Sequence, residues 1–450
     1  PNTNEFNTRI FKRNTINMKP LCVVSCPIDT FSGYGARSRD FVKALIQVKD
    51  EEWDIKILPQ RWGNCPWNFL SEDDPLQKRL IPNLNKKPDI WMQITIPNEF
   101  SPIGQFNVGV TAGIETNIFP GNFIEGLNRM NLNLVSSNHS KNVALSTQLD
   151  KRDKNNQIIG QVKAEKPVEV LFEGLDLNIY NKNPQNSGLL DNVKEDFCFL
   201  YTGHWLQGVL GEDRKNTGLM IKTFLETFNT SSRKKPALIL KTNHANYSLL
   251  DRESILKKIN QIKDMVSGNL PNIYLLHGEM TDEEMNQLNN DNKVKAFVSF
   301  TKGEGYGRPL AEAAITGKPV LVSNWSGHVD FIHPDYNVLI GGELKNVHKS
   351  AANDWILKES QWFNINTDVA SRAMKDIFKN YKKYFEKSRK QTQYLKNNWS
   401  FNNMAEKLNS LLPKVEAAPQ MQQIQLPKLK KTSAKQELPK LNLPKLKKIK

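Results

Sequence analysis

The sequence predicts an α/β protein: two Rossmann-like, doubly wound domains facing a cleft, with a disordered basic C-terminal tail. Three observations predict it. Short apolar runs recur along the chain with amphipathic helical patterns between several of them, the alternation of a sheet with helices on its faces. The alternation pauses at Asp150–Lys166, a Gly/Asn/Pro-rich segment follows from Gly174 to Gly188, and the pattern then restarts. From Lys414 onward the composition turns to low-complexity Leu-Pro-Lys repeats. A chain of 450 residues has room for two or three domains.

The elements follow in order. Residues 1–19 are polar and Asn-rich, a loose leader without the apolar core of a signal peptide. The first domain is expected over residues 20–180. Leu21 to Cys26 lies between Pro20 and Pro27 and is apolar on both faces, as in a buried parallel strand. A loop with Gly33 and Gly35 follows, then a helix from Ala36 to Gln47 with Phe41, Val42, Leu45 and Ile46 inward. Further strands are expected at Asp54–Leu58, Ile90–Ile94, Val108–Ala112, Leu132–Ser136 and Val168–Phe172. The polar stretch Asp150–Lys166 reads as an exposed loop. The second domain is expected over residues 190–395. Its strands are Phe197–Thr202, Ala237–Lys241, Ile273–His277, Val294–Phe300 and Pro319–Val322. Thr281 and Glu284 have the spacing of a capping box. A long helical region, Asp368 to Asn397, and a closing helix within 396–413 complete the globular part.

Composition excludes several classes. A 38% hydrophobic and 9% aromatic share is incompatible with a wholly disordered chain. No apolar run approaches the ~18 residues of a membrane span. The four Cys form no C-x-x-C pair and the seven His are scattered, so no metal site is expected. Few Cys and no export signal fit a cytoplasmic setting. The net charge of +15 invites a nucleic-acid partner, but ten Lys and two Glu after Pro413 carry +8 of it, leaving +7 for the other 413 residues. The tail is expected to be a solvated extension or a tether to an anionic partner.

The chemistry concentrates in Phe300 to Val322. A buried strand ends at Phe300, a loop with Gly303, Gly305 and Gly307 follows, and Pro309 suits a first helical position. Gly317 suits a left-handed cap. Such a loop and helix start are suited to a phosphate or diphosphate. Two carboxylates, Glu304 and Glu312, bracket the turn and are suited to sugar or ribose hydroxyls.

Glu304 to Glu312, E-G-Y-G-R-P-L-A-E, resembles the E-x7-E signature of family 4 glycosyltransferases. The following A-E-A-A-I-T-G-K-P-V resembles that family's EAMAxGxPV, and Ser326-Gly327 its SGG element. Gly174 to Tyr180 resembles the interdomain GVDxxxF, and Val135 to Lys141 a strand end of the first domain. The resemblance covers Leu21 to Leu412 and is strongest in the second half. It implies a GT-B fold and retaining transfer from a nucleotide sugar, the co-substrate, with no cofactor and no metal. It implies a catalytic set of Glu304, Lys215 and Arg214, with Glu304 on the donor sugar and the two cations meeting the diphosphate; Glu115, in the loop after Val108–Ala112, joins that set as a candidate sugar contact or acceptor-side base. It implies a donor-binding set of Gly33, Gly35, Gly305, Tyr306, Gly307, Arg308 and Glu312, with Glu312 on the ribose; Lys241, at the end of the strand Ala237–Lys241, is a further cationic candidate for donor binding. Three departures stand out. Asn216 follows Lys215 where the family has Gly. His204 occupies the place of the family arginine, with Arg214 as its substitute. Glu115 lies near the place of a family histidine, and His139 reads as structural. The acceptor is left open among glycan, protein, lipid and nucleic acid, and a catalytically silent sugar-nucleotide-binding or assembly protein is the reading from another class.

Overall fold

The computed structural model describes residues 19–63, 65–155, 157–244 and 246–414. The leader and the tail expected from the sequence lie outside the described residues, apart from Lys19 and Lys414.

The first half is built on β1 (Leu21–Cys26), β2 (Asp54–Pro59), β3 (Ile90–Ile94), β4 (Phe106–Thr111) and β5 (Leu132–Val135). Two strands, β6 (Gln148–Arg152) and β7 (Ile158–Lys163), pair only with each other, and β8 (Val168–Val170) returns to the main sheet. That sheet has the order β2-β1-β3-β4-β5-β8, every described pairing in it parallel. Its strands are buried almost throughout because helices cover both faces. On one face α1 (Gly33–Lys49) packs Phe41, Val42 and Leu45 onto the sheet, and on the other α2 (Gly121–Arg129) packs Phe123, Ile124 and Leu127. The third helix, α3 (Asn138–Ser146), is capped by Ser137.

The stretch Asp150–Lys166 is not the loop the polar composition suggested. It carries most of the β6–β7 hairpin, with Leu149 opposite Val162. The turn is closed by Asp153, whose Oδ1 accepts from the amides of Asn155 and Gln157. A solvated hairpin has too few apolar positions to announce itself in the sequence.

The second half repeats the plan with β9 (Cys198–Thr202), β10 (Ala237–Lys241), β11 (Ile273–Leu276), β12 (Val294–Ser299), β13 (Val320–Ser323) and β14 (Val338–Ile340), parallel in the order β11-β10-β9-β12-β13-β14. The helices here are α4 (Thr217–Phe228), α5 (Leu249–Asp264), α6 (Asp282–Asn290) and α7 (Arg308–Ala314). The expected capping box is present, Thr281 and Glu284 each bonding the other's backbone. A small antiparallel pair, β15 (Gly342–Asn346) and β16 (Gln361–Ile365), lies beyond β14.

The long terminal helix splits at Asn380 into α8 (Thr367–Lys379) and α9 (Tyr381–Asn398). After Trp399 the chain crosses back. The last helix, α10 (Phe401–Leu411), places Met404, Ala405 and Leu408 in the core of the first half, beside Phe41 and Leu45. Among the described residues no helix is long and apolar enough to cross a membrane.

Both sheets have a place where neighbouring strands send their connections in opposite directions, between β1 and β3 and between β9 and β12. A crevice opens at the C-terminal ends of strands at such a point. The loops after β9 and β12 are therefore the ones positioned to hold a ligand in the second half.

Candidate active site

Those two loops carry the predicted cations and the first carboxylate. Their backbones are joined where the Lys302 amide donates to the Arg214 carbonyl at 2.8 Å. The Arg214 guanidinium donates to the Gly303 carbonyl at 2.8 Å and to Glu304 Oε2 at 2.9 Å. Lys215 Nζ donates to Glu304 Oε1 at 2.6 Å, and Thr301 Oγ1 donates to the same oxygen at 2.6 Å. The Glu304 amide donates to Ser326 Oγ at 2.9 Å. Glu304 is thus a buried carboxylate with three donors on its oxygens and its backbone pinned.

Burial alone would raise the Glu304 pKa; the Lys215 and Arg214 charges and the two side-chain hydrogen bonds overcome it and hold the carboxyl far below its usual range. Burial and the neighbouring Arg214 lower the Lys215 pKa, against the pull of Glu304. His204 lies near these cations, and loss of solvent around the ring together with the Lys215 and Arg214 charges disfavours its protonation.

The first half reaches this cluster at two points. Glu115 Oε1 stands 3.8 Å from Arg214 Nε, so all four predicted catalytic residues are brought together. Below it the loop glycines meet first-half backbone. A Cβ on Gly303 would fall 1.9 Å from the Glu115 carbonyl oxygen, and one on Gly305 would fall 2.1 Å from that of Ala112. These two positions are glycine so that the halves can close on each other. The sequence reads the same loop as suited to a phosphate, and the close approach seen at these two glycines is that of first-half backbone. Tyr34 and Ser136 fix the opposing backbone: Ala112 N donates to Tyr34 Oη at 3.2 Å, and Ser136 Oγ donates to Ala112 O at 2.6 Å.

The second carboxylate has a different environment. Arg308 and Glu312 are one turn apart on α7, with Gly307 in a left-handed conformation before them. Arg308 Nη1 donates to Asp40 on α1 at 2.5 Å, lies 3.6 Å from Glu173, and presents Nε 3.6 Å from Glu312. One guanidinium serves three carboxylates, and Asp282 adds a fourth negative charge nearby. Burial therefore wins at Glu312, and its pKa is pushed up to about 7 against the Arg308 charge. Glu312 faces a cavity of about 490 Å³, lined also by Asp40, Glu173, Tyr180, Asp282 and Arg308. Tyr180 Oη donates to Asp282 at 2.8 Å across its wall. Tyr306 lines the same cavity and packs on Phe331 at 4.7 Å between ring centres.

The remaining predicted residues are placed apart from the catalytic cluster. Gly33 and Gly35 are in the first turn of α1, not in a loop, under the Ser32 cap. Lys241 lines a separate cavity of about 280 Å³ with His277 and Glu279, its ammonium on the Gly278 carbonyl. His139 stands edge-on to Trp325 at 4.6 Å, a packing role. Cys22 and Cys26 are buried in the sheet core. Among the described residues no group of three His, Cys, Asp or Glu side chains is arranged to hold a metal ion.

Sequence reasoning missed four residues that shape these sites. Thr301 was discoverable, since it precedes Glu304 by three positions in the same loop. Asp40, Glu173 and Asp282 were not: each reaches Arg308 or Glu312 from a distant part of the chain, and only the fold brings them there.

Solved structures share this architecture. Anabaena HepE in complex with UDP-glucose superposes with a TM-score of 0.56 at 13% identity, covering 87% of this chain and 100% of that one. The sucrose-phosphate synthase of Thermosynechococcus elongatus gives 0.55 at 11% identity, over 88% of this chain and 98% of that one. A glycosyltransferase of Rickettsia africae gives 0.56 at 13% identity, over 87% and 97%. Neither a protein-family model nor a curated protein matches the sequence. Likeness at such low identity is a likeness of fold, and the fold it defines is GT-B: two Rossmann-like halves, joined by a linker and by a helix that returns to the first half.

Proposed function

We propose that the protein is a glycosyltransferase of the family 4 type, moving a sugar from a nucleotide-sugar donor to an acceptor, with retention of configuration and without a metal ion. The observation that carries this reading is the convergence of Arg214 and Lys215 on one buried carboxylate at the crevice of the second half. Two fixed cations at the end of a sheet are placed to meet a diphosphate as its negative charge develops on bond cleavage, a preorganised electrostatic stabilisation. Glu304 is paired with both of them. On donor binding the phosphate oxygens take over part of that pairing, and Glu304, still held by Thr301, turns its acceptor capacity to the hydroxyls of the transferred sugar.

Glu312, Tyr180 and Asp282 line a cavity of a size suited to a nucleoside, with carboxylates to accept from the ribose hydroxyls. Glu115 comes from the first half and is the candidate to receive the acceptor proton. HepE was solved with UDP-glucose and with UDP, which supports a nucleotide-sugar donor for this fold. The cytoplasm is the setting in which we place the reaction.

The test is transfer and hydrolysis by the full chain against UDP-, GDP- and ADP-sugars, in excess EDTA, with the product anomer read by NMR. Turnover of one donor with the anomer retained, strongly reduced in Glu304→Gln and Lys215→Ala, is the expected outcome. Nucleotide binding without turnover on any donor would support the silent binding protein instead. Activity abolished by EDTA and restored only by Mn²⁺ or Mg²⁺ would remove the metal-independent mechanism.

A further inference from the structure

At the C-terminal ends of β1 and β2 the first half carries a concentration of aromatic side chains beside the cavity given above to the nucleoside; of these rings Phe69 also lines that cavity. Phe31 and Phe69 are 38% and 40% exposed, with ring centres 5.0 Å apart in an edge-to-face arrangement. Trp62 packs on Tyr34 at 4.2 Å, and Arg61 stands 5.7 Å over the ring of Trp67. The surface is built, not loose. The Phe31 amide donates to Pro66 O at 3.1 Å, the Phe69 amide to Asp29 O at 3.2 Å, and the Leu70 amide to Asp29 Oδ1 at 2.7 Å. Thr30 and Trp67 are joined by an antiparallel bridge. The Arg39 guanidinium covers one side of Phe69 at 3.4 Å while donating to the carbonyls of Ile28 and Thr30.

The cluster is wired to the candidate active site. Tyr34, which carries Trp62 on its ring, is hydrogen-bonded through Oη to Thr111 Oγ1 at 3.0 Å and to the Ala112 amide. The Ala112 carbonyl is the atom against which Gly305 closes.

We propose that Phe31, Trp62, Trp67 and Phe69 form the acceptor platform, and that the acceptor is a neutral saccharide. The inference rests on the donor-site reading above and names the class of its second substrate. The chemistry of the surface selects the class. An aromatic face is electron-rich, and the C–H bonds on one side of a pyranose ring present partial positive charge to it, so a sugar stacks while its hydroxyls stay free to bond. Nucleic acid also stacks on aromatic rings, but such sites pair the rings with a positively charged groove. Here Arg39 is spent on backbone carbonyls, and the surroundings of the platform set Asp29, Glu72, Asp73 and Asp74 against Arg61 and Lys43. That balance repels phosphates and leaves a neutral polyol as the ligand that gains from both rings and carboxylates.

The test is titration of the full chain, with UDP present, by maltotriose, cellotriose and chitotriose, followed by tryptophan fluorescence and calorimetry. Saturable binding of at least one trisaccharide is expected, weakened ~5-fold or more in Trp62→Ala and in Phe69→Ala, as the loss of one aromatic contact implies. Trp62→Phe keeps a ring and recovers most of the affinity; a merely structural role would not order the variants this way. Absence of binding for all three sugars overturns the inference, as does equal affinity in wild type and Trp62→Ala. So does binding of a ten-residue oligothymidylate or of phosphatidylglycerol vesicles that Trp62→Ala abolishes. Affinity for UDP, GDP and ADP, measured on the same samples, separates the two readings. A chain that binds a nucleotide but no trisaccharide loses only the platform, and a chain that binds no nucleotide loses the donor site.

Discussion

Replacing Glu304 by Ala should destabilise the free protein and yet strengthen its grip on a nucleoside diphosphate. The carboxylate accepts from Arg214, Lys215 and Thr301, and its side chain is only 8% exposed. Removing one partner of a buried ion pair strands the other and costs about 3–5 kcal/mol. Two features put this case at the low end, ~3 kcal/mol. Arg214 is 28% exposed and keeps the Gly303 carbonyl and Glu115 as neighbours. The Lys215 side chain is 15% exposed and keeps solvent on its ammonium when its counter-ion is gone. At ~2–4 °C per kcal/mol for a half of this size, melting should fall by roughly 6–12 °C.

A diphosphate then enters a site with two cations and no internal competitor, so UDP, GDP or ADP, whichever the wild type binds, should bind the variant ~10-fold tighter, about 1.4 kcal/mol. Transfer should fall sharply in the same protein. Differential scanning fluorimetry gives the first quantity and calorimetric titration the second. The sign of the pH dependence is set as well. A carboxyl held below its unfolded value stabilises fully above that value and loses the contribution as pH falls through the folded one. The difference between wild type and variant should therefore be flat from pH 6 to 8 and shrink only in acid. Unchanged melting, or weaker nucleotide binding in Glu304→Ala, would refute the competition between Glu304 and the diphosphate.

Other outcomes follow from neighbouring features. Glu312, with its pKa raised to about 7, should accept from a ribose more strongly when ionised, so nucleotide affinity should rise between pH 6 and 8 in wild type and lose that slope in Glu312→Gln. The sign for stability is opposite: a raised carboxyl contributes most below its unfolded value and loses the contribution as pH climbs through about 7. Gly305→Ala sets a Cβ 2.1 Å from the Ala112 carbonyl oxygen, which forces the halves apart and should lower transfer roughly 100-fold while nucleotide binding to the second half persists; calorimetry beside a transfer assay checks both. Deleting residues 415–450 removes nine Lys and two Glu and should abolish retention on heparin at low salt, with melting temperature unchanged.

Much of this molecule was legible in the sequence because its signals are local. Buried parallel strands such as Leu21–Cys26 are apolar on both faces, and the Thr281–Glu284 cap and the Gly317 turn are decided within a few residues. Glu304, Arg214, Lys215 and Glu115 stood out one by one, and the fold brings them together. What escaped depends on distant partners. The β6–β7 hairpin is solvated, so no hydrophobic period marks it. The Asp40–Arg308 pair joins residues 268 positions apart. The role of Gly303 and Gly305 is invisible without the backbone of the first half lying against them.

The two carboxylates of the E-x7-E segment show how one short motif yields opposite chemistries. Glu304 sits where two loops deliver two cations to one acid, and they hold its carboxyl far below the usual range. Glu312 sits where one guanidinium is shared among Asp40, Glu173 and Glu312 itself, and it titrates near neutrality. Pairs of acids whose surroundings drive their pKa values apart are a mark of divided roles at one site. The division here is between halves. Glu304 takes its cations from the second half alone, whereas Arg308 spends its strongest pairing on Asp40 of the first. Removing the Asp40 charge leaves more of Arg308 to Glu312 and takes away a negative neighbour, both of which lower the Glu312 pKa. Asp40→Asn should therefore lower the pH midpoint of nucleotide binding. A midpoint left in place by Asp40→Asn would mean that burial alone, and not the division of one guanidinium among three acids, sets the behaviour of Glu312.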